Sequence, residues 1–199
     1  MCCTQSLHPP ALKNSERLGG LINDLLDIEK LLAGKLNFIC QPHSLATLLT
    51  AAIQENQPYA SQYGVTLNLL PLAVDRLINV DPLRFQQIMA NLLSNAAKFS
   101  QLKGEVVIFC DECDKKVRIN VKDSGCGITD AFRPRIFQKF SQSDASDRRV
   151  KGGTGLGLSI SKAITEQVGG TIGFTSCEGK GSTFYVVFPW VEEKNRAKS

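Results

Sequence analysis

The stretch Gln87-Ile88-Met89-Ala90-Asn91-Leu92-Leu93-Ser94-Asn95-Ala96-Ala97-Lys98 has the period of a helix. Asn91, Asn95 and Lys98 follow one another at spacings of four and three, which places them on one face. Ile88, Leu92, Ala96 and Phe99 recur on another face at the period of a core stripe. Asp81 can cap this helix and Pro82 fits its first turn, so the element is predicted to start there. Two amides and an ammonium in one line are unusual for a solvated face, where Glu and Lys more often alternate. An amide oxygen ligates hard cations such as Mg2+, and a lysine neutralises phosphate. The same line also reads as a plain polar stripe, and the helix by itself leaves both readings open.

Three motifs downstream bear on the choice. Asp123-Ser124-Gly125-Cys126-Gly127 follows a predicted strand, and Gly152-Gly153-Thr154-Gly155-Leu156-Gly157-Leu158 opens a predicted helix. Gly179-Lys180-Gly181-Ser182-Thr183 precedes the last strand. Taken in order with the Asn-bearing helix, these motifs resemble the nucleotide-binding boxes of the histidine-kinase catalytic domain. That domain belongs to a wider group of ATPases with gyrase, the heat-shock-ninety chaperones and the mismatch-repair ATPases. The resemblance runs from about Asn14 to Trp190, and four ordered motifs are far more specific than one glycine pattern. No Gly-Lys-Ser/Thr follows the glycines, which excludes the mononucleotide P-loop. They also do not follow a strand directly within a βαβ unit, which disfavours a dinucleotide site.

Composition sets the outer bounds. The 199 residues suffice for one ordinary domain with an appendage. Hydrophobic residues at 43% and charged residues at 21% describe a globular chain. A net charge of +4 suits a polyanionic small molecule but is no footprint of a nucleic-acid binder. No apolar run approaches the roughly 18 residues of a membrane span, so a membrane attachment is expected only through segments outside this sequence. Seven cysteines include the pair Cys110 and Cys113, which has no second ligand pair nearby for zinc. Buried or incidental thiols in a reducing cytoplasm are the expectation.

Residues 1–13 are expected to be disordered, because His8-Pro9-Pro10 cannot sit inside a helix. A helix over 14–34 carries Leu18, Leu21, Leu25, Ile28 and Leu32 as a heptad seam and ends at Gly34. It resembles the second helix of the dimerisation and phosphotransfer hairpin of histidine kinases, and the resemblance implies a homodimer through such hairpins. Residues 35–191 are then the catalytic domain and 192–199 a polar tail. Within the domain, Leu36–Cys40 is predicted as a strand, and Ser44 is predicted to cap a helix bearing Leu45, Leu48, Leu49, Ala52 and Ile53. Further strands are expected at Val65–Leu70, Arg76–Val80, Glu105–Cys113, Lys115–Lys122, Thr171–Ser176 and Thr183–Val191. Val117, Ile119 and Val121 alternate with Arg118 and Asn120, so that strand is expected to bury one face. A helix is expected over Leu156–Val168. Strands and helices do not alternate strictly, which points to α+β: a two-layer sandwich with a mixed sheet.

What the resemblance implies for the site can be given residue by residue. Asp123 accepts a hydrogen bond from the adenine amino group, selecting adenine over guanine, with Gly125 and Gly127 permitting the turn and Ile128 following it. Thr183 supports that pair from the adjacent strand, unless Ser182 is the residue in register. Ile128 to Lys151 is a lid, with Phe137 and Phe140 anchoring it. Arg148, Arg149 and Lys151 are candidates for the terminal phosphates. Gly153, Thr154, Gly155, Leu156, Gly157 and Leu158 bring the backbone and a helix N-terminus to the phosphates. Asn95 ligates Mg2+, Asn91 assists, and Lys98 pairs with phosphate.

Related ATPases that hydrolyse ATP carry a Glu about one turn before the metal ligand. Here Asn91 stands there, and an amide is no general base. The implied activity is therefore transfer of the ATP γ-phosphoryl to histidine in two-component signalling, with a response regulator or receiver domain downstream and a cytoplasmic location. The acceptor histidine of the family pattern is missing, since neither His8 nor His43 matches it, so the sequence reads as the second hairpin helix plus the catalytic domain. A non-catalytic ATP-binding scaffold, or a serine kinase or ATPase of the same superfamily, is the alternative.

Overall fold

The structure, a computed structural model, describes residues 36–142 and 154–192, with Gly19, Ile22, Leu25, Leu26, Glu29, Lys30 and Gly34 before them. The chain divides into two units, Met1–Leu36 and Asn37–Ser199. In the first, all those described positions through Lys30 are helical and Gly34 turns with φ +61°. Residues 1–13, the other four seam residues and the tail past Glu192 lie outside the described residues.

The second unit is built around the Asn-bearing helix, α2 (Pro82–Phe99). Asp81 caps it as its spacing suggests: Oδ1 accepts from the amides of Leu83 at 2.9 Å and Arg84 at 3.3 Å. Its buried stripe is wider than the one read from the sequence. Phe85, Ile88, Met89, Leu92, Leu93, Ala96 and Ala97 are all buried, while Phe99 is only half-buried. Emptying one of the large positions to Ala would cost about 2–5 kcal/mol. The other helices are α1 (Leu45–Gln62), capped by Ser44, and α3 (Gly157–Gln167); α2 packs against both.

The strands are β1 (Gln41–Ser44), β2 (Thr66–Leu69), β3 (Leu77–Val80), β4 (Glu105–Cys113), β5 (Lys116–Lys122), β6 (Thr171–Cys177) and β7 (Gly181–Val191). They make one sheet in the order β1-β3-β7-β5-β4-β2, with β6 also on β7. β2 and β4 are parallel and the other pairs antiparallel. Val106, Ile108, Val117, Ile119, Val121, Phe184, Val186 and Phe188 form the sheet side of the core. The result is a two-layer α+β fold with a mixed sheet, as the order of elements implied.

Three local expectations change. Leu36–Cys40 is not a strand; β1 lies just after it, and the Ile39 amide bonds Asp81 Oδ2 at 2.9 Å in place of a ladder partner. Among the described strands β1 has a neighbour on one side only, which is why Pro42 can stand in it. Lys115 belongs to the β4–β5 turn with Asp114, both at positive φ (59° and 47°), so β5 starts at Lys116. Asn120, expected on an open face, is 4% exposed, with its amide donating to Asp111 Oδ2 at 2.8 Å.

Candidate functional site

Asp123 leaves β5 at its C-terminal end and is 6% exposed. Its Oδ1 accepts from the amides of Gly125 at 2.9 Å and Ser182 at 3.2 Å, while its own amide donates to the Ser182 carbonyl at 2.8 Å. Among the described residues no hydrogen bond reaches Oδ2. One oxygen is therefore pinned and the other is left to accept. Burial pushes the carboxyl above its ordinary value, and the amides of Gly125, Ser182 and Asp123 itself pull part of the way back. Gly125 is glycine for want of room: a Cβ there would strike the Phe99 carbonyl at the end of α2. Gly127 turns the chain at φ +72° against Cys177.

Asn91 and Asn95 are half-buried on α2. The Asn91 amide nitrogen donates to the Gly157 carbonyl at 3.1 Å and to Ser161 Oγ at 3.2 Å. A Cβ on Gly157 would lie 2.9 Å from Asn91 Oδ1, so this glycine lets the first turn of α3 close on α2. The Asn95 side chain makes no hydrogen bond among the described residues. Lys98 holds its ammonium 4.8 Å from the centre of the Phe99 ring, one turn along from Asn95. Leu156, 1% exposed, seats the start of α3, and its amide donates to Thr154 Oγ1 at 3.1 Å.

The segment after the pocket is built rather than loose over its described part, residues 128–142. The Ile128 amide donates to Ser176 Oγ at 2.9 Å. Arg133 donates to the Ser176 carbonyl at 2.6 Å and pairs with Asp130 at 2.9 Å. Phe137 meets Phe174 edge-on at 5.9 Å, and Phe174 stacks on Phe184 at 5.6 Å.

Residues 80–192, more than half of the chain, match the family described as histidine kinase-, DNA gyrase B- and HSP90-like ATPases. The chain belongs to this ATPase family. Its relatives include the circadian input-output histidine kinase CikA of Synechococcus elongatus, 39% identical over 184 residues, which cover 91% of this chain and 24% of that protein. The sensor protein GacS of Pseudomonas syringae pv. syringae is 40% identical over 184 residues, 87% of this chain and 20% of that one. Full-length ShkA, solved in complex with AMPPNP, superposes with a TM-score of 0.77 at 30% identity, over 92% of this chain and 38% of that chain. The nucleotide-free catalytic domain of the histidine kinase ThkA gives 0.65 at 26% identity, over 77% and 96%. The chain thus spans about a quarter or less of the length of these curated relatives.

For a histidine-kinase-type ATPase domain, the structure gathers Asp123, Gly125, Gly127 and Ile128 at one end of the sheet, and Asn91 against Gly157 where α2 meets α3. Two expectations are corrected. Thr183 pairs with Lys122 and, by strand alternation, faces away from the side that Phe184 and Ser182 share; Ser182 is the residue at Asp123. Phe140 is 60% exposed at φ +59° and its ring makes no aromatic contact among the described residues, although its backbone comes close to Gly155. Phe137 alone of the pair is packed. Arg148, Arg149, Lys151 and Gly153 lie outside the described residues, and Leu158 sits half-buried in the first turn of α3.

Four contributing residues went unread: Ser161, Ser176, Arg133 and Phe174. Phe174 and Ser176 had a signal, the alternation Ile172, Phe174, Ser176 along β6, which places all three on one face. The described thiols are free, as either half of the expectation allows. Cys126 and Cys177 are exposed; Cys110 is half-buried, and burial followed by the nearby Asp111 charge pushes its thiol up to about 12.

Proposed function

We propose that this domain binds ATP with Mg2+ and presents the γ-phosphate to a histidine on a separate hairpin helix, as the catalytic part of a two-component sensor kinase. The observation that carries the reading is the division of labour in Asp123: Oδ1 is held by two amides and Oδ2 is left for a donor. An adenine amino group is such a donor. Asn91 meets the first turn of α3 at Gly157, and Asn95 and Lys98 follow it on α2 at spacings of four and three, which supports reading this line as the phosphate side. The residues fit a metal as well, because the half-buried Asn95 carbonyl is uncommitted among the described residues. Asn95 would hold Mg2+, which when bound would supply positive charge against the phosphates. Lys98 adds a fixed positive charge. Asn91 supplies no base and is tied to α3, which favours transfer over hydrolysis.

The remaining parts of the reading follow the relatives. Leu25 of the heptad seam is 48% exposed within this chain, which suits cover by partner helices in a homodimer. A response regulator or receiver domain is the onward acceptor, and the site works in the cytoplasm. No described helix is long and apolar enough to cross a membrane. Calorimetry on the full chain tests the core of the proposal. ATP and ADP are expected to bind with about micromolar affinity, with Mg2+ strengthening ATP and GTP binding far more weakly. Equal affinity for GTP would overturn it.

A further inference from the structure

Ser176 on β6 lies directly opposite Ser182 on β7. Three groups converge on its hydroxyl. The Ile128 amide donates to it at 2.9 Å, it donates to the Gly181 carbonyl at 3.1 Å, and the Ser182 hydroxyl stands 2.9 Å away. A serine hydroxyl has one proton and two lone pairs. The carbonyl cannot donate and the amide cannot accept, so the Ser176 proton goes to Gly181 and one lone pair to Ile128. The contact with Ser182 is then satisfied in one direction only, with Ser182 donating to Ser176. Ser182 has thereby used its single proton, and its oxygen keeps lone pairs alone. Ser182 is 7% exposed, and its amide holds Asp123 Oδ1. Ser182 thus meets the carboxylate through its amide and Ser176 through its hydroxyl.

We propose that Ser176 determines the nucleobase preference of the site by fixing the direction of the Ser182 hydroxyl. With Ser182 held as a donor to Ser176, the edge formed by Asp123 Oδ2 and Ser182 Oγ accepts hydrogen bonds and offers none. A six-amino purine donates to that edge. A six-oxo purine presents an oxygen to two acceptors and is rejected. Ser176 is a positioning residue here, acting on the base through Ser182, and the inference rests on the reading of Asp123 as the adenine partner.

The test compares ATP with inosine triphosphate, which replaces the six-amino group by a six-oxo group and leaves the sugar and phosphates the same. In Ser176→Ala the Ser182 hydroxyl is free to turn and donate into the pocket. The ATP-to-ITP affinity ratio is expected to fall about tenfold, the worth of one hydrogen bond gained by the wrong base and lost by the right one. Ser176→Thr keeps the hydroxyl and should keep the ratio. Removing the turned donor, in Ser176→Ala combined with Ser182→Ala, should recover part of the discrimination. Should Ser176→Ala fail to fold, Ser176→Cys carries the same expectation with a fall of about threefold, since a thiol is a weaker partner. A Ser176 variant that weakens ATP and ITP equally would show a merely structural role and overturn the proposal. Failure of the underlying reading looks different: the unaltered chain would show no preference for ATP over ITP, and Asp123→Asn would change neither.

Discussion

Asp123 is a carboxylate at 6% exposure, and its carboxyl sits above the ordinary value because burial outweighs three amide contacts. A carboxyl raised on folding takes up its proton more readily in the native state. Its contribution to stability is complete below the unfolded value, 3.8, and is lost as pH rises through the folded value. At neutral pH the charge is therefore a cost to the fold, which the proposed adenine contact at Oδ2 would account for. Asp123→Asn keeps an oxygen for the Gly125 and Ser182 amides and removes the charge. The urea midpoint at pH 7 is expected at or above that of the unaltered chain, and the gap should close as pH falls below the carboxylate range. ATP binding by the same variant should weaken by about 1–3 kcal/mol, because an amide nitrogen can face the adenine donor. A lowered midpoint at pH 7 would show that the amide contacts are worth more than the desolvation. At this scale the sequence announced residue types but not directions. Asp123 and its glycines could be named from spacing, whereas Ser182 against Thr183 depended on the β5–β7 register. Phe140 depended on a left-handed backbone angle that no side-chain pattern signals.

Between elements, the decisive joint is the one from α2 to α3. Asn91 and Asn95 look alike in the sequence, one turn apart on the same face. The fold gives them different work: Asn91 spends its amide on Gly157 and Ser161, and Asn95 spends nothing on the described residues. Asn91→Ala should destabilise the domain without nucleotide by about 1–2 kcal/mol, from two lost bonds and a polar group left unpaired. Asn95→Ala should stay within about 0.5 kcal/mol of the unaltered stability. Its effect should appear only in the extra ATP affinity that Mg2+ confers. Thermal melts with and without nucleotide separate the two, and equal destabilisation by both variants would refute the assignment. The elements themselves were largely readable, since α2 announces itself by cap, proline and apolar period. β1 was not, because Leu36–Cys40 carries the apolar residues while the polar Gln41–Ser44 makes the ladder. An edge strand of four residues needs only a partner's free backbone, and that is invisible in its own side chains.

At the scale of the whole chain, the proposed reading gives Asn95 and Lys98 to the phosphate end, while His43, the histidine among the described residues, lies in β1. Asn95 and Lys98 lie in the last two turns of α2, about 21 Å and about 25 Å along the helix from its cap at Asp81, at a rise of about 1.5 Å per residue. His43 is fixed in β1, paired with Ile78 three residues before that cap. Four ladder pairs with β3 hold it, so reaching the phosphate end would require β1 to leave the sheet. Phosphoryl transfer needs the attacking nitrogen in line with the γ-phosphorus, and a misplacement of about 1 Å can already cost about a hundredfold. The chain alone is therefore expected to bind ATP without accumulating phosphohistidine. A second polypeptide that carries a complete hairpin with its acceptor histidine should become labelled in trans, provided the helix bearing Leu25 can assemble with it. Hydrolysis should stay slow in both cases, because Asn91 offers no base and is held by α3. Incubation with γ-labelled ATP, followed by acid treatment, measures the outcome. Acid-labile label on the added hairpin in an Asn95-dependent manner is the expected result. Robust acid-labile label on this chain by itself, surviving in Asn95→Ala, would mean that His8 or His43 is phosphorylated by a route other than this site.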